Sequence, residues 1–337
     1  MFKKISILIV ITACLTKVVT ATDALQDDLT QTAISIEETM LANHYNPREL
    51  EGAAYKDIIL AVRSLAKTTS DKKVFIDGFK AIWREGPFSH VQLSTARGTA
   101  DTLAEYLDTM QFGGGGAILS WQGDVAILTV STMMGQDTIK EIEAAYVSIA
   151  SADPKTLIID LRNNEGGAFA IRPLIEHIAN EPFDAGGFVA QNWNKLNDHA
   201  PGNADLAKIK PWTGWSVRAF WDDVQNTSLV KVHFKPQKPS FAGPVYVLTS
   251  SRTASAAELA ADALKASGRA TIVGELTAGK MLSQKPFDIV GGLQLYLPIA
   301  DYYSVENGRI EGAGVAPHIA VEAHKALDTA LALINQN

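Results

Sequence analysis

The chain of 337 residues has a single cysteine, Cys14. A disulfide framework is thereby excluded, and so is any zinc site built on cysteine spacing. No His, Cys or carboxylate cluster has metal-ligand spacing, so neither metal nor cofactor is expected. Basic residues are also in short supply, 30 against 37 acidic, for a formal charge of −7. That balance argues against nucleic acid and against anionic membrane surfaces as partners. Beyond the first 21 residues no apolar run is long enough to cross a bilayer.

What is present suits a sizeable globular protein, with 47% hydrophobic and 20% charged residues. Lys3-Lys4, an apolar run from Ile5 to Leu15 and small residues ending at Ala21 form the pattern of a signal peptide over 1–21. Cleavage there would remove the lone cysteine and leave a charge of −10. The protein is then exported, to a periplasmic or extracellular location. Ile11-Thr-Ala-Cys14 also fits a bacterial lipoprotein box, the alternative in which acyl chains on Cys14 tether the chain to a membrane. Residues 22–90 carry helical periodicity: Leu25, Leu29, Ile36 and Met40 on one face, Ile58, Leu60, Val62 and Leu65 in a second element, and a third opened by Ser70-Asp71. Residues 91–116 read as a connector ending in the glycines 113–116, a flexible junction.

From Val125 onward strand and helix patterns alternate, the rhythm of an α/β domain spanning 117–325. Its most telling stretch is VYVLTSSRTASAAELAADAL. An apolar strand pattern from Val245 to Leu248 breaks at a small polar turn, and a helix pattern begins at once with Ser255 at the junction. Unpaired N–H groups of a first helical turn would meet an oxyanion forming there. Ser255-Ala-Ala-Glu258 is equally a capping box. Lys280, in an apolar setting of Ala278, Gly279, Met281 and Leu282, is a candidate base whose pKa such surroundings would lower, with Gln284 to orient it. Gly274 to Lys280 also matches a phosphate-binding loop, but Met281 replaces the Ser or Thr that would hold magnesium.

Together, LIIDLRNNEGG (157–167), TASAAE around Ser255, GELTAGKMLSQ (274–284) and ADYYSVENGRIEGAGVAPHIAV (300–321) resemble the S41 family of serine peptidases, the carboxy-terminal processing or tail-specific proteases. Tricorn core protease and the nisin-resistance protein are relatives within that resemblance. It implies a ClpP/crotonase-like spiral β-sheet and helix core, with a small N-terminal helical domain beside it. It also implies Ser255 as nucleophile, and the N–H of Ala256 with that of Gly166 or Gly167 as oxyanion hole. Two bases fit. The processing proteases' pattern falls on Lys280 and Gln284; the tricorn pattern falls on His90 with Ser89 and on Glu311. Too little sequence separates the helical region from the core for a PDZ domain, so the plan is that of the PDZ-less members. A Trp-rich, cap-like insertion at about 185–240 holds Trp193, Trp212, Trp215 and Trp221, which either grip peptide or pack the segment onto the core. The expected function is an exported serine endopeptidase acting on proteins or peptides through an acyl-enzyme. The alternatives are a catalytically inactive peptide-binding relative and a crotonase-like acyl-thioester enzyme. Oligomeric state is not legible.

Overall fold

The computed structural model describes residues 21–212 and 215–336. The signal-peptide and Cys14 readings lie outside the described residues. Three helices open the fold, α1 (Ala21–Asn43), α2 (Ala53–Thr68) and α3 (Lys72–Arg84). Then come β1 (Gln92–Thr95), α4 (Ala100–Thr109), β2 (Ala117–Gln122), β3 (Val125–Val130), α5 (Gln136–Ala152), β4 (Thr156–Asp160) and α6 (Ile171–Glu176). The middle of the chain holds β5 (Phe183–Ala190), α7 (Gln191–Leu196), α8 (Asn203–Leu206), α9 (Val217–Asn226), β6 (Leu229–Phe234), β7 (Val245–Thr249) and α10 (Ala256–Ala266). It closes with β8 (Thr271–Gly274), β9 (Ser283–Ile289), β10 (Leu293–Ser304), β11 (Gly308–Arg309), β12 (Ile319–Ala320) and α11 (Ala326–Ile334).

The expected spiral core of ClpP/crotonase type is not formed. The strands sort into two open six-stranded sheets. One runs β1-β10-β5-β6, with β9 and β11 also on β10, and every pair in it is antiparallel. The other runs β12-β8-β7-β4-β3-β2 and is parallel apart from the β2–β3 hairpin. A spiral would need the strand path to turn back on itself. Here neither sheet closes: the parallel sheet is a linear ladder with β12 and β2 at its edges, and the antiparallel sheet branches at β10 and stays open.

The parallel sheet is buried on both faces, which is why β3 and β4 are near-continuous apolar runs rather than alternating ones. Ala326 and Ala330 of α11 cover Val125, Ile127, Ile158, Leu248 and Val273 on one face. The opposite face joins α5, α6 and α10 in the main core. That core continues without a break into the N-terminal helices, through Leu29, Ile36 and Met40 of α1, Val62 of α2 and Phe75 and Phe79 of α3. The glycines at 113–116 are held rather than loose. Asp137 accepts from the N–H groups of Phe112, Gly113 and Gly114, and Glu141 from those of Gly115 and Ala117.

Candidate active site

In open α/β sheets the loops beyond the carboxyl ends of parallel strands gather at one edge. Here those of β3, β4, β7 and β8 bring together Met134, the 163–167 turn, Ser255 and Lys280. The turn between β7 and α10 is clamped from several sides. Thr253 Oγ1 donates to the Leu161 carbonyl (2.9 Å), Ala254 N–H to the Asn164 carbonyl (3.0 Å), and Ala278 N–H to the Thr253 carbonyl (2.9 Å). These contacts hold Ser255 at φ 55°, ψ −124°, a conformation costly for a residue with a side chain and one that collects at functional sites.

The capping box read from the sequence is formed through the Glu258 carboxylate and not through the Ser255 hydroxyl. Ser255 N–H donates to the Glu258 carboxylate (3.0 Å), and Glu258 N–H donates to the Ser255 carbonyl (2.8 Å), so the Ser255 hydroxyl is not spent on the helix. Glu258 is fully buried and also receives Thr277 Oγ1 (2.5 Å) and the N–H groups of Gly279 (2.7 Å) and Lys280 (2.8 Å). One carboxylate thus fastens the 277–280 segment to the serine turn. From the sequence Glu258 showed only as half of a capping box; its bond to Ser255 N–H was legible there, its three partners in the 277–280 segment were not.

Across from Ser255 lies the Gly166-Gly167 turn. Asn164, buried, donates to the Val130 carbonyl (3.0 Å) and accepts from Gly166 N–H (2.9 Å). Gly166 N–H is therefore occupied. The N–H groups of Gly167 and Ala256 make no hydrogen bond among the described residues. Gly166 has φ 98°, and a Cβ added there would stand 2.6 Å from the Ser255 Cβ and 2.7 Å from the Ala254 carbonyl oxygen. Only glycine allows that approach.

His90 sits between α3 and β1 with φ 61°. Its Nδ1 is 2.9 Å from Ser89 Oγ, and Ser89 Oγ donates to Glu311 (2.9 Å). Because the Ser89 proton points to Glu311, Ser89 accepts from His90 Nδ1–H, and the lone pair of a neutral imidazole is left on Nε2. Burial lowers the His90 pKa; the Lys280 charge adds to this, while Glu311 and Glu258 oppose it. The other Glu311 oxygen accepts from the N–H groups of Met281 (2.6 Å) and Leu282 (3.1 Å). Gln284 does not reach for the lysine: its side-chain amide donates to the His90 carbonyl (2.5 Å), and its backbone carbonyl accepts from the Trp221 indole N–H (3.0 Å). Lys280 is exposed, and among the described residues its ammonium has no hydrogen-bond or ion-pair partner.

His90, Gly167, Ser255, Ala256, Lys280 and Gln284 all line one cleft of about 400 Å³. Ser89 and Glu311 stand behind His90, and Gly166 behind Gly167. Three of the four tryptophans of the insertion, Trp212, Trp215 and Trp221, line the same cleft. Trp193 packs elsewhere, against Val189, Leu206 and Leu229. Among the described residues no group of His, Cys, Asp or Glu is placed to hold a metal ion.

A serine at a strained strand-to-helix turn, facing unoccupied backbone N–H groups and sharing a cleft with a histidine backed by a polar chain, defines a serine-hydrolase type of site. The family model Peptidase family S41 matches residues 124–321, and the chain belongs to that family. Carboxyl-terminal-processing peptidase 1 of Arabidopsis thaliana chloroplasts is 36% identical over 81 residues, 24% of this chain and 17% of that protein. Carboxyl-terminal-processing peptidase 3 from the same plant is 26% identical over 188 residues, 56% of this chain and 30% of that protein. The match therefore spans less than a third of either relative. A crystal structure from Parabacteroides merdae ATCC 43184, of a candidate peptidase, shares the fold with a TM-score of 0.64 at 16% identity, over 90% of this chain and 96% of that one.

Proposed function

We propose that this protein is an exported serine endopeptidase that hydrolyses peptide bonds in proteins or peptides through an acyl-enzyme on Ser255. The observation that carries the reading is the run His90–Ser89–Glu311 opening onto the cleft that Ser255 lines. His90 Nε2 takes the proton of the Ser255 hydroxyl as its oxygen attacks the substrate carbonyl. The oxyanion accepts hydrogen bonds from Ala256 N–H and Gly167 N–H, both without partners among the described residues. His90 then gives its proton to the departing amine, the C–N bond breaks, and the acyl group remains on Ser255. Water, deprotonated by the same imidazole, attacks the ester; the carboxylic acid leaves and the serine regains its proton. Ser89 and Glu311 hold the imidazole tautomer, and Gln284 holds its backbone.

Lys280 works through charge in this scheme, favouring neutral His90. Export is supported by the leader pattern of residues 1–21 and the lack of cysteine beyond it. Acylation of Cys14 is the finer alternative; it predicts membrane fractionation that Cys14→Ser abolishes. The central test is incubation of the mature chain with an unfolded protein such as casein, beside Ser255→Ala, with released peptides read by mass spectrometry. Peptides from the wild type and none from the variant support the proposal. Release that survives in the variant rejects Ser255 as nucleophile.

A further inference from the structure

The charged side chains of the cleft, His90, Glu165 and Lys280, belong to the catalytic segments or flank them. Its remaining wall is of another kind. Phe169, Phe188, Trp212, Trp215, Phe220 and Phe234 come from five separate stretches of chain, yet their rings meet in one sheath. Centroids lie 5.3 Å apart for Phe169–Trp212, 4.9 Å for Trp212–Trp215, 5.6 Å for Trp215–Phe234, 5.5 Å for Trp212–Phe220 and 4.9 Å for Phe188–Phe220. Three of these contacts are tilted and two, Trp212–Phe220 and Phe188–Phe220, are edge-on, a geometry aromatic rings prefer. The sheath begins two residues after Gly167, so it adjoins the donor expected to hold the scissile carbonyl.

Apolar area facing water is costly, and the aromatic side of the cleft, to which no charged side chain contributes, gains most by taking an apolar side chain. The cleft as a whole, about 400 Å³, falls in the range of ligand pockets, roughly 300–1,000 Å³, and the aromatic sheath forms one wall of it. An acidic or basic side chain would lose its hydration there without a partner.

We infer that the aromatic sheath is the specificity pocket for the residue that supplies the scissile carbonyl, and that it selects a large apolar side chain, Phe or Leu, over Gly, Ala and charged residues. The inference rests on the peptidase reading. Trp215 is, like Phe169, only half-buried, so its removal opens the pocket with limited damage to the core, and it is a positioning residue rather than a catalytic one.

The test uses the mature wild-type chain and a set of peptides identical except at one residue, Phe, Leu, Ala, Gly, Asp or Lys. Cleavage sites and kcat/KM are read by mass spectrometry, and binding to Ser255→Ala by tryptophan fluorescence, since three tryptophans line the cleft. The expected result is cleavage on the carboxyl side of Phe and Leu, with kcat/KM higher than for Gly or Asp by more than about tenfold. Trp215→Ala, checked for cooperative melting, should flatten that preference mainly through KM, and Trp215→Phe should restore it. Cleavage with no preference, or with preference for a charged residue, overturns the inference while leaving the peptidase reading standing. If the wild type cleaves nothing but Ser255→Ala still binds Phe peptides more tightly than Asp peptides, the pocket stands and the peptidase reading falls. Absence of both cleavage and side-chain-dependent binding overturns the inference.

Discussion

Three residues at this site do work that their neighbours cannot. His90 is buried enough that its pKa falls below the ordinary 6.5, and Lys280 pushes it the same way. Neutral imidazole is the active form, so kcat/KM should hold through neutrality and fall only as pH drops through a midpoint below 6.5. Replacing Lys280 by Met removes one of the two causes of the lowering, so the midpoint should move up while turnover persists. Complete loss of activity in Lys280→Met, with His90→Ala retaining activity, would instead make the lysine the base. The same shift bears on stability. The unfolded chain binds a proton at His90 more readily than the folded one, so this group makes the fold less stable as pH falls through that window.

Gly166 works by having no side chain. A methyl group there meets the Ser255 Cβ at 2.6 Å and backbone oxygen at 2.7 Å, at a φ of 98° that disfavours any other residue. Gly166→Ala should lower kcat by at least an order of magnitude, because misplacement by about 1 Å can cost roughly 100-fold. The same variant should also melt earlier. Wild-type kcat in that variant would show that the turn can move away from Ser255.

At the scale of elements, the join between α10 and the 277–280 segment rests on Glu258. Four donors converge on its carboxylate in a fully buried position. Each buried donor left without an acceptor costs about 1–3 kcal/mol, so Glu258→Ala should destabilise the fold by several kcal/mol, measurable by urea unfolding. Activity should fall further than stability alone accounts for, since Ser255 and Lys280 hang on the same anchor. α9 shows the complementary arrangement. Its apolar face buries Val217, Phe220, Trp221 and Val224, while the Asp108 carboxylate from α4 accepts from the N–H of Val217 (2.5 Å) and Arg218 (3.3 Å) at its N-terminus. A negative charge at that end is favourable to the helix dipole. This holds in place the helix that carries part of the aromatic sheath.

For the whole molecule, the consequential feature is a core continuous from the N-terminal helices to α10. His90 lies on the chain leaving α3, so the packing of those helices fixes where the imidazole stands. Phe79, fully buried and stacked on Trp83 at 4.7 Å, is remote from the cleft yet belongs to that core. Phe79→Ala should cost about 3–5 kcal/mol and lower the melting temperature. Far-UV circular dichroism and fluorophosphonate labelling of Ser255 should then report one shared transition. Two separated transitions would show that the helical layer unfolds independently.

What the sequence determined by itself was local. Strand and helix followed from periodicity, as at Thr156–Asp160 and Ala256–Ala266, and the small-residue turn at Ser255 and the glycine pair at 166 and 167 marked where backbone must approach substrate. Ser255, His90, Lys280 and Glu311 could be named because their segments carry recognisable patterns. The tertiary structure decided what depends on contacts between distant stretches. Strand order was one such matter: two open sheets rather than a spiral, since apolar alternation says which face of a strand is buried but not which strand lies beside it. The partner of Gln284 was another, His90 lying 194 positions away. The choice of free donor in the oxyanion turn was a third, because only the fold brings the Asn164 side chain onto Gly166 N–H and leaves Gly167 N–H open. A hydrogen bond is short-ranged and directional, so its partner is known only once the chain has been brought together in space.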